Sequence, residues 1–256
     1  MLGKQLTKIV QSLEKKKFRE KYNLFKAEGE KLVEELLRSD LHVERILASP
    51  AWIERNQHLL PSRINRTEVT PREMEELSGF QSVPEVLALA DIPEWSWQEE
   101  EVRESLSLVL NGIQDPGNLG TILRIADWFG VRHVFCDRDC ASAFNPKAVQ
   151  ASMGAVFRVR TCYTELEELI DRFRGADFPC YGTFLEGSVI YRTALKNKGF
   201  IVMGNEGKGI NEQTGRRIDV RLTIPSFAGT ESGSESLNVG VATGIILSEF
   251  KRNIYL

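Results

Sequence analysis

The chain has 256 residues, 42% of them hydrophobic and 27% charged, with a formal net charge of −3. That length allows one large domain or two small ones, and the apolar fraction is that of a folded globular protein. No apolar stretch approaches a membrane span, and residues 1–22 lack the apolar core of a secretory signal, so a cytoplasmic protein is expected.

Residues 1–90 read as a small α/β module. Apolar positions recur at helical spacing over 6–18 and 25–37, followed by strand-like pieces such as 43–48, divided by Pro50, Pro61 and Pro71. The weakly acidic total hides an uneven distribution: residues 1–31 carry nine Lys or Arg against four Glu, clustered at Lys15, Lys16, Lys17, Arg19 and Lys21. Such a cluster suits phosphate contact, although a solvated helix face is the ordinary alternative. Residues 91–105 combine proline, tryptophan and acid and read as a linker, with Trp95 and Trp97 packed on a neighbouring surface.

From Leu106 strands alternate with helices. Strands are expected at 106–111, 131–136, 155–160, 180–184, 200–203 and 220–224, and helices at 121–129, 147–154, 165–174 and 236–252. This alternation predicts an α/β fold with a mostly parallel sheet covered on both faces. Three polar, glycine-rich segments follow apolar runs: NGIQDPGNLGTILR at 111–124, MGNEGKGI at 203–210 and IPSFAGTESGSESLNVG at 224–240. Loops at strand ends are where an open α/β sheet binds ligands, so the three are expected to share one pocket.

Familiar chemistries do not fit. Gly204, Gly207 and Gly209 give G-x-x-G-x-G, not the dinucleotide fingerprint, and EGKG at 206–209 is too short for a phosphate loop. The three histidines, His42, His58 and His133, lie far in sequence from the serine-rich 226–236 segment, which leaves serine nucleophile chemistry unsupported. His133, Cys136 and Cys140 lack a fourth ligand and the paired spacing of a structural zinc site, so no metal is expected.

The residues themselves suggest more. Asp115–Asn118 reads as a tight turn, with Arg124 in the first turn of the following helix and so near Asn118. Capping and surface pairing are the ordinary roles for Asn118, Arg124, Glu206, Ser236 and Asn238. Taken together they offer polar groups around a backbone-lined hollow suited to a neutral or cationic cofactor.

The three segments resemble, in order, the three signature motifs of the SpoU family of RNA ribose methyltransferases, within the SPOUT class. DPGNLGTILRIADWFG resembles the first, MGNEGKGI the second, and IP followed by SLNV the third. The likeness covers 106–256. The phrase KKKFRxKYxLFxAEG resembles, more loosely, the substrate-binding module often fused in front, with a fold similar to a small ribosomal RNA-binding protein.

The resemblance implies a C-terminal trefoil knot, a homodimer, S-adenosylmethionine as methyl donor, and a ribose 2′-hydroxyl of RNA as acceptor, ribosomal RNA before transfer RNA. It assigns catalytic roles to Asn118, Arg124, Glu206, Ser236 and Asn238, and cofactor contacts to Thr183, Gly204, Asn205, Ile224 and Leu237. Arg124 is expected to bridge RNA phosphate and 2′-hydroxyl, with Glu206 holding it in place or taking part in proton transfer. Base methylation and non-catalytic RNA binding are the competing readings. Two departures stand out: ten residues separate Pro225 from Ser236, including Ser232 and Ser234, which predicts a longer, mobile loop; and Gly240 stands where many members have serine.

Overall fold

Four helices begin with the same device, a side-chain acceptor followed by proline. Ser49, Thr70, Asp115 and Asn145 each accept a hydrogen bond from a backbone N–H of the first turn, and Pro50, Pro71, Pro116 and Pro146 occupy its start. Proline costs nothing there, because that N–H has no helical partner and φ is already suitable. The computed structural model describes residues 2–80, 82–175, 177–227 and 236–252. They fold as two compact units, residues 1–94 with 142–158, and residues 95–141 with 159–256.

The first unit contains α1 (Lys4–Ser12), α2 (Lys16–Tyr22), β1 (Leu24–Glu28), α3 (Glu30–Leu37), β2 (Val43–Ala48), α4 (Pro50–Arg55), β3 (Asn65–Glu68), α5 (Pro71–Leu77) and β4 (Val86–Asp91). Its sheet runs β1-β4-β2-β3, with β1 and β2 antiparallel to β4 and β3 parallel to β2. The helix expected over 25–37 is therefore a strand followed by a helix. All five residues of β1 are buried, so the alternation that signals a strand is missing, and Gly29 at φ 95° separates the two elements. The helix expected over 6–18 likewise divides into α1 and α2.

The second unit begins inside the expected linker with α6 (Glu99–Arg103) and continues with β5 (Leu106–Asn111), α7 (Pro116–Trp128) and β6 (His133–Cys136). The next helix, α8 (Pro146–Ser152), packs in the first unit instead, where the Phe25 ring lies 4.7 Å from Phe144 and 5.8 Å from Phe157. The strand expected at 155–160 is a 3-10 turn, Ala155–Phe157, and pairing resumes only in β7 (Arg160–Tyr163). Then come α9 (Leu166–Phe173), β8 (Cys180–Val189), β9 (Gly199–Gly204), α10 (Glu212–Gly215), β10 (Val220–Thr223) and α11 (Val239–Arg252). The linker also loses its first residue to the sheet, since Asp91 ends β4 opposite Leu24.

The second sheet is wholly parallel in the order β10-β8-β9-β5-β6-β7. One face covers an aromatic core in which Phe200 meets Phe135, Phe173 and Phe178 at centroid distances of 5.9, 5.2 and 5.0 Å. Trp97 packs edge-on against Phe135, as expected of a linker tryptophan with a neighbouring surface. From β5 the chain steps outward through β6 to β7, then crosses back to build β8 and β9 on the other side. The order reverses between β5 and β9, which opens a crevice at their C-terminal ends. Among the described residues no helix is long and apolar enough to cross a membrane.

Candidate functional site

The loops after β5 and β9 meet at that crevice. Asn205 Nδ2 donates to the Gly112 carbonyl at 2.7 Å, and Asn205 Oδ1 accepts from the N–H groups of Gly207 and Lys208. Gly204 ends β9 against the returning backbone: a Cβ there would overlap the Gly209 carbonyl carbon and stand 2.5 Å from the Ile210 nitrogen. Only glycine permits that approach.

Asn111, which closes β5 and is buried, ties in two more segments. Its amide donates to Asp137 Oδ2 at 2.6 Å, and its Oδ1 accepts from Asn211 N–H at 2.7 Å. The Cys140 thiol accepts from Ile113 N–H and donates to the Leu110 carbonyl. The bond to Cys140, together with burial, holds the Cys136 thiol well above the usual thiol range. Sequence reasoning weighed Cys140 only as a metal ligand and gave Asn111 no role, because a buried Asn or Cys looks alike in a core or in a scaffold.

Across this frame three side chains from three motifs join. Asn118 Nδ2 donates to Glu206 Oε1 at 2.6 Å, and Asn238 Nδ2 donates to Asn118 Oδ1 at 2.9 Å. The capping roles fall elsewhere for two of them: Asp115 caps α7 and Asn211 caps α10. Asn238 does both, since its Oδ1 accepts from the N–H groups of Gly240 and Val241. The closing helix therefore starts three residues later than expected, at Val239. A Cβ on Gly240 would stand 2.9 Å from Thr121 Cγ2 and 3.2 Å from Asn238 Oδ1, so glycine at this position lets α11 close on α7.

Arg124 is placed differently from expectation. Because α7 begins at Pro116, Arg124 lies in its third turn, roughly 9 Å along the axis from Asn118 and about 120° around it. It is exposed, and among the described residues no hydrogen bond or ion pair holds it to Glu206 or to any other group. Ser236 is also exposed and outside the network. Thr183, Gly204, Asn205 and Ile224 are half-buried and Leu237 is 48% exposed. The Thr183 hydroxyl donates to the Val202 carbonyl, within the sheet. The expected long loop, with Ser232 and Ser234, falls largely at 228–235, outside the described residues.

In the first unit Lys15, Lys16, Lys17 and Lys21 are exposed, with Lys17 and Lys21 over the rings of Phe18 and Tyr22. Arg19 does not belong with them. It is 2% exposed, and its guanidinium donates to the carbonyls of Leu13 and Glu14, closing the end of α1. Its helical phase turns it inward while its neighbours face out.

A parallel sheet whose amide-rich loops meet at its topological switch is the arrangement at which α/β proteins bind small ligands. Residues 105–248 match the SpoU rRNA methylase family, and residues 4–88 match the MRM3-like substrate binding domain. The 23S rRNA (guanosine(2553)-2′-O)-methyltransferase RlmP of Bacillus subtilis is 31% identical over 250 residues, covering 95% of this chain and 94% of its own. The structure of a TrmH-family protein from Porphyromonas gingivalis superposes with a TM-score of 0.88 at 36% identity, covering 99% of both chains. An AdoMet-bound rRNA methyltransferase from Sinorhizobium meliloti gives 0.85 at 27% identity, covering 99% of this chain and 97% of that one. The chain belongs to the SpoU methyltransferase family.

The close approach at Gly204 yields a clear expectation. Gly204→Ala is destabilised by about 1–3 kcal/mol through overpacking. Gly207→Ala, whose Cβ would find only Asn205 Oδ1 at 3.7 Å, is nearly neutral. Denaturant unfolding of the two variants checks the contrast.

Proposed function

We propose that this protein transfers a methyl group from S-adenosylmethionine to a ribose 2′-hydroxyl of large-subunit ribosomal RNA. The observation that carries the reading is the Asn238–Asn118–Glu206 chain of hydrogen bonds, which draws residues 88 and 120 positions apart into one cluster. The name of the Bacillus relative supports 23S rRNA as substrate and a guanosine as the nucleotide to examine first.

The residues present fit this donor. Among the described residues Glu206 accepts from a neutral amide and has no cationic partner, so its carboxylate favours a positive ligand. The half-buried Thr183, Gly204, Asn205 and Ile224 and the exposed Leu237 supply backbone and apolar surface for the cofactor. S-adenosylmethionine, when bound, supplies a methyl already activated on a sulfonium.

The protein then has to align an oxygen and stabilise its developing charge. A guanidinium is a donor with no lone pair to offer, so Arg124 is not the base. Its exposed guanidinium suits an RNA phosphate and the forming alkoxide. Asn118, fixed on both sides, orients Glu206, whose carboxylate takes the hydroxyl proton, while Ser236 contacts the ribose. Lys15, Lys16, Lys17 and Lys21 take further phosphates.

The reading extends to the assembly. Trp128 is 85% exposed on α7 and Val241 53% exposed on α11, which supports a homodimer through these helices. The family likeness supports a trefoil knot, which a crystallographic chain trace without threading would disprove.

Tritiated S-adenosylmethionine and a 23S rRNA transcript test the activity. Label in a ribonuclease-resistant dinucleotide supports ribose methylation; label on a base, or none, overturns it. Arg124→Ala abolishes transfer while cofactor affinity, by titration calorimetry, stays within about twofold. Asn118→Asp sets a second carboxylate against Glu206 and removes the amide donor; the like charges favour sharing one proton as pH falls, which restores a donor. Its turnover falls roughly 10²–10³-fold at pH 8 and recovers in part toward pH 6. Trp128→Glu sediments as a monomer where the parent sediments as a dimer.

A further inference from the structure

The first unit holds a feature that the methyl-transfer chemistry does not use. An open hollow of about 570 Å³ is lined by Gly29, Phe80, Ser82, Val83, Pro84 and Gln150, with Glu28 in its wall. All belong to the first unit, Gln150 through α8. The volume lies within the range of roughly 300–1,000 Å³ that small ligands occupy. We infer that this hollow receives an unpaired base of the RNA substrate, which gives the first unit a nucleotide-reading site of its own. The inference rests on the RNA reading above and names where the RNA is read.

The lining has the chemistry of a base pocket. Phe80 offers a flat ring, and Val83 and Pro84 add apolar surface, with Val83 43% exposed. Ser82 and Gln150 are neutral groups that both donate and accept, as a base edge requires. Glu28, the charged member, is not a lone carboxylate: it is paired with Lys26 Nζ, 2.5 Å from its Oε1, an ammonium it shares with Glu14.

The ring is held by a built chain. Lys26 and Glu28 are buried to 1% and 3% side-chain exposure, and Glu14 also lies 2.6 Å from Lys26 Nζ. Glu28 Oε2 accepts from the Ser78 hydroxyl at 2.6 Å and from Gly79 N–H at 3.3 Å, and the Ser78 oxygen accepts from Phe80 N–H at 3.1 Å. A buried ion pair is weak evidence for stability, because desolvation offsets its attraction. Here its visible effect is to fix the loop that carries Phe80. Preorganisation of this kind lowers the cost of binding.

One exposed cation stands beside the lining residue Gln150. Lys147, exposed, is three residues before Gln150 on α8 and shares its face. The hollow lies in the unit whose residues 4–88 match a substrate binding domain.

Filter binding of a radiolabelled 23S rRNA transcript at fixed salt, with the full-length protein, tests the inference. Phe80→Ala weakens binding roughly tenfold or more, as loss of a base stack does, and Phe80→Tyr restores it. Val83→Glu, at an exposed position, weakens it without touching the core and decides the matter if Phe80→Ala fails to fold. Affinity for S-adenosylmethionine stays unmoved in each variant. Binding within about twofold of the parent for the folded variants overturns the site while leaving the methyltransferase reading intact. A parent protein that binds the transcript without methylating it overturns that reading instead, and the variants still judge the hollow. A parent that does not bind the transcript ends both.

Discussion

The amide of Asn118 has one face that donates and one that accepts, and both are used: Glu206 takes the first and Asn238 supplies the second. An amide can serve a carboxylate and a second amide at once through two separate atoms. The rest of the second unit arranges that meeting. Asp115 and Pro116 start α7 so that Asn118 falls in its first turn. Gly204 lets the chain turn back on itself to present Glu206, and Gly240 lets α11 approach α7 so that Asn238 arrives.

What was legible in the residues follows from how local each signal is. The alternation after Leu106 was readable because parallel strands are continuous apolar runs and the intervening helices keep a 3.6-residue period. The motifs also disclosed most of the network, since Asn118, Glu206 and Asn238 are polar without any local packing need. Arg124 was misplaced for one identifiable reason. Reading Asp115–Asn118 as a turn put the helix start near Thr121, five residues late, and so moved Arg124 from the third turn to the first. Pro50 and Pro71 likewise stand at helix starts, after Ser49 and Thr70. Proline marks a helix start as readily as a break, and only the acceptor before it distinguishes the two.

Other features carried no local signal. Lys26 and Glu28 are charged residues inside a strand, and nothing near them in sequence announces that they pair with each other. Arg19 sits among exposed lysines and differs from them only in helical phase. Asn111 and Cys140 matter through partners 26 to 100 residues away, distances that no periodicity can report.

The membership of 142–158 in the first unit has a consequence for anyone who handles this protein in parts. Phe144 and Phe157 cover Phe25, so the front module owes part of its interior to a stretch encoded within the rear one. Cutting the gene near codon 94 would strip that cover from one fragment and leave the other with an orphaned excursion between β6 and β7. Modules shuffled between members of such a family would have to travel with this insert, or evolve a substitute for it, so recombination at the obvious seam is disfavoured by packing alone.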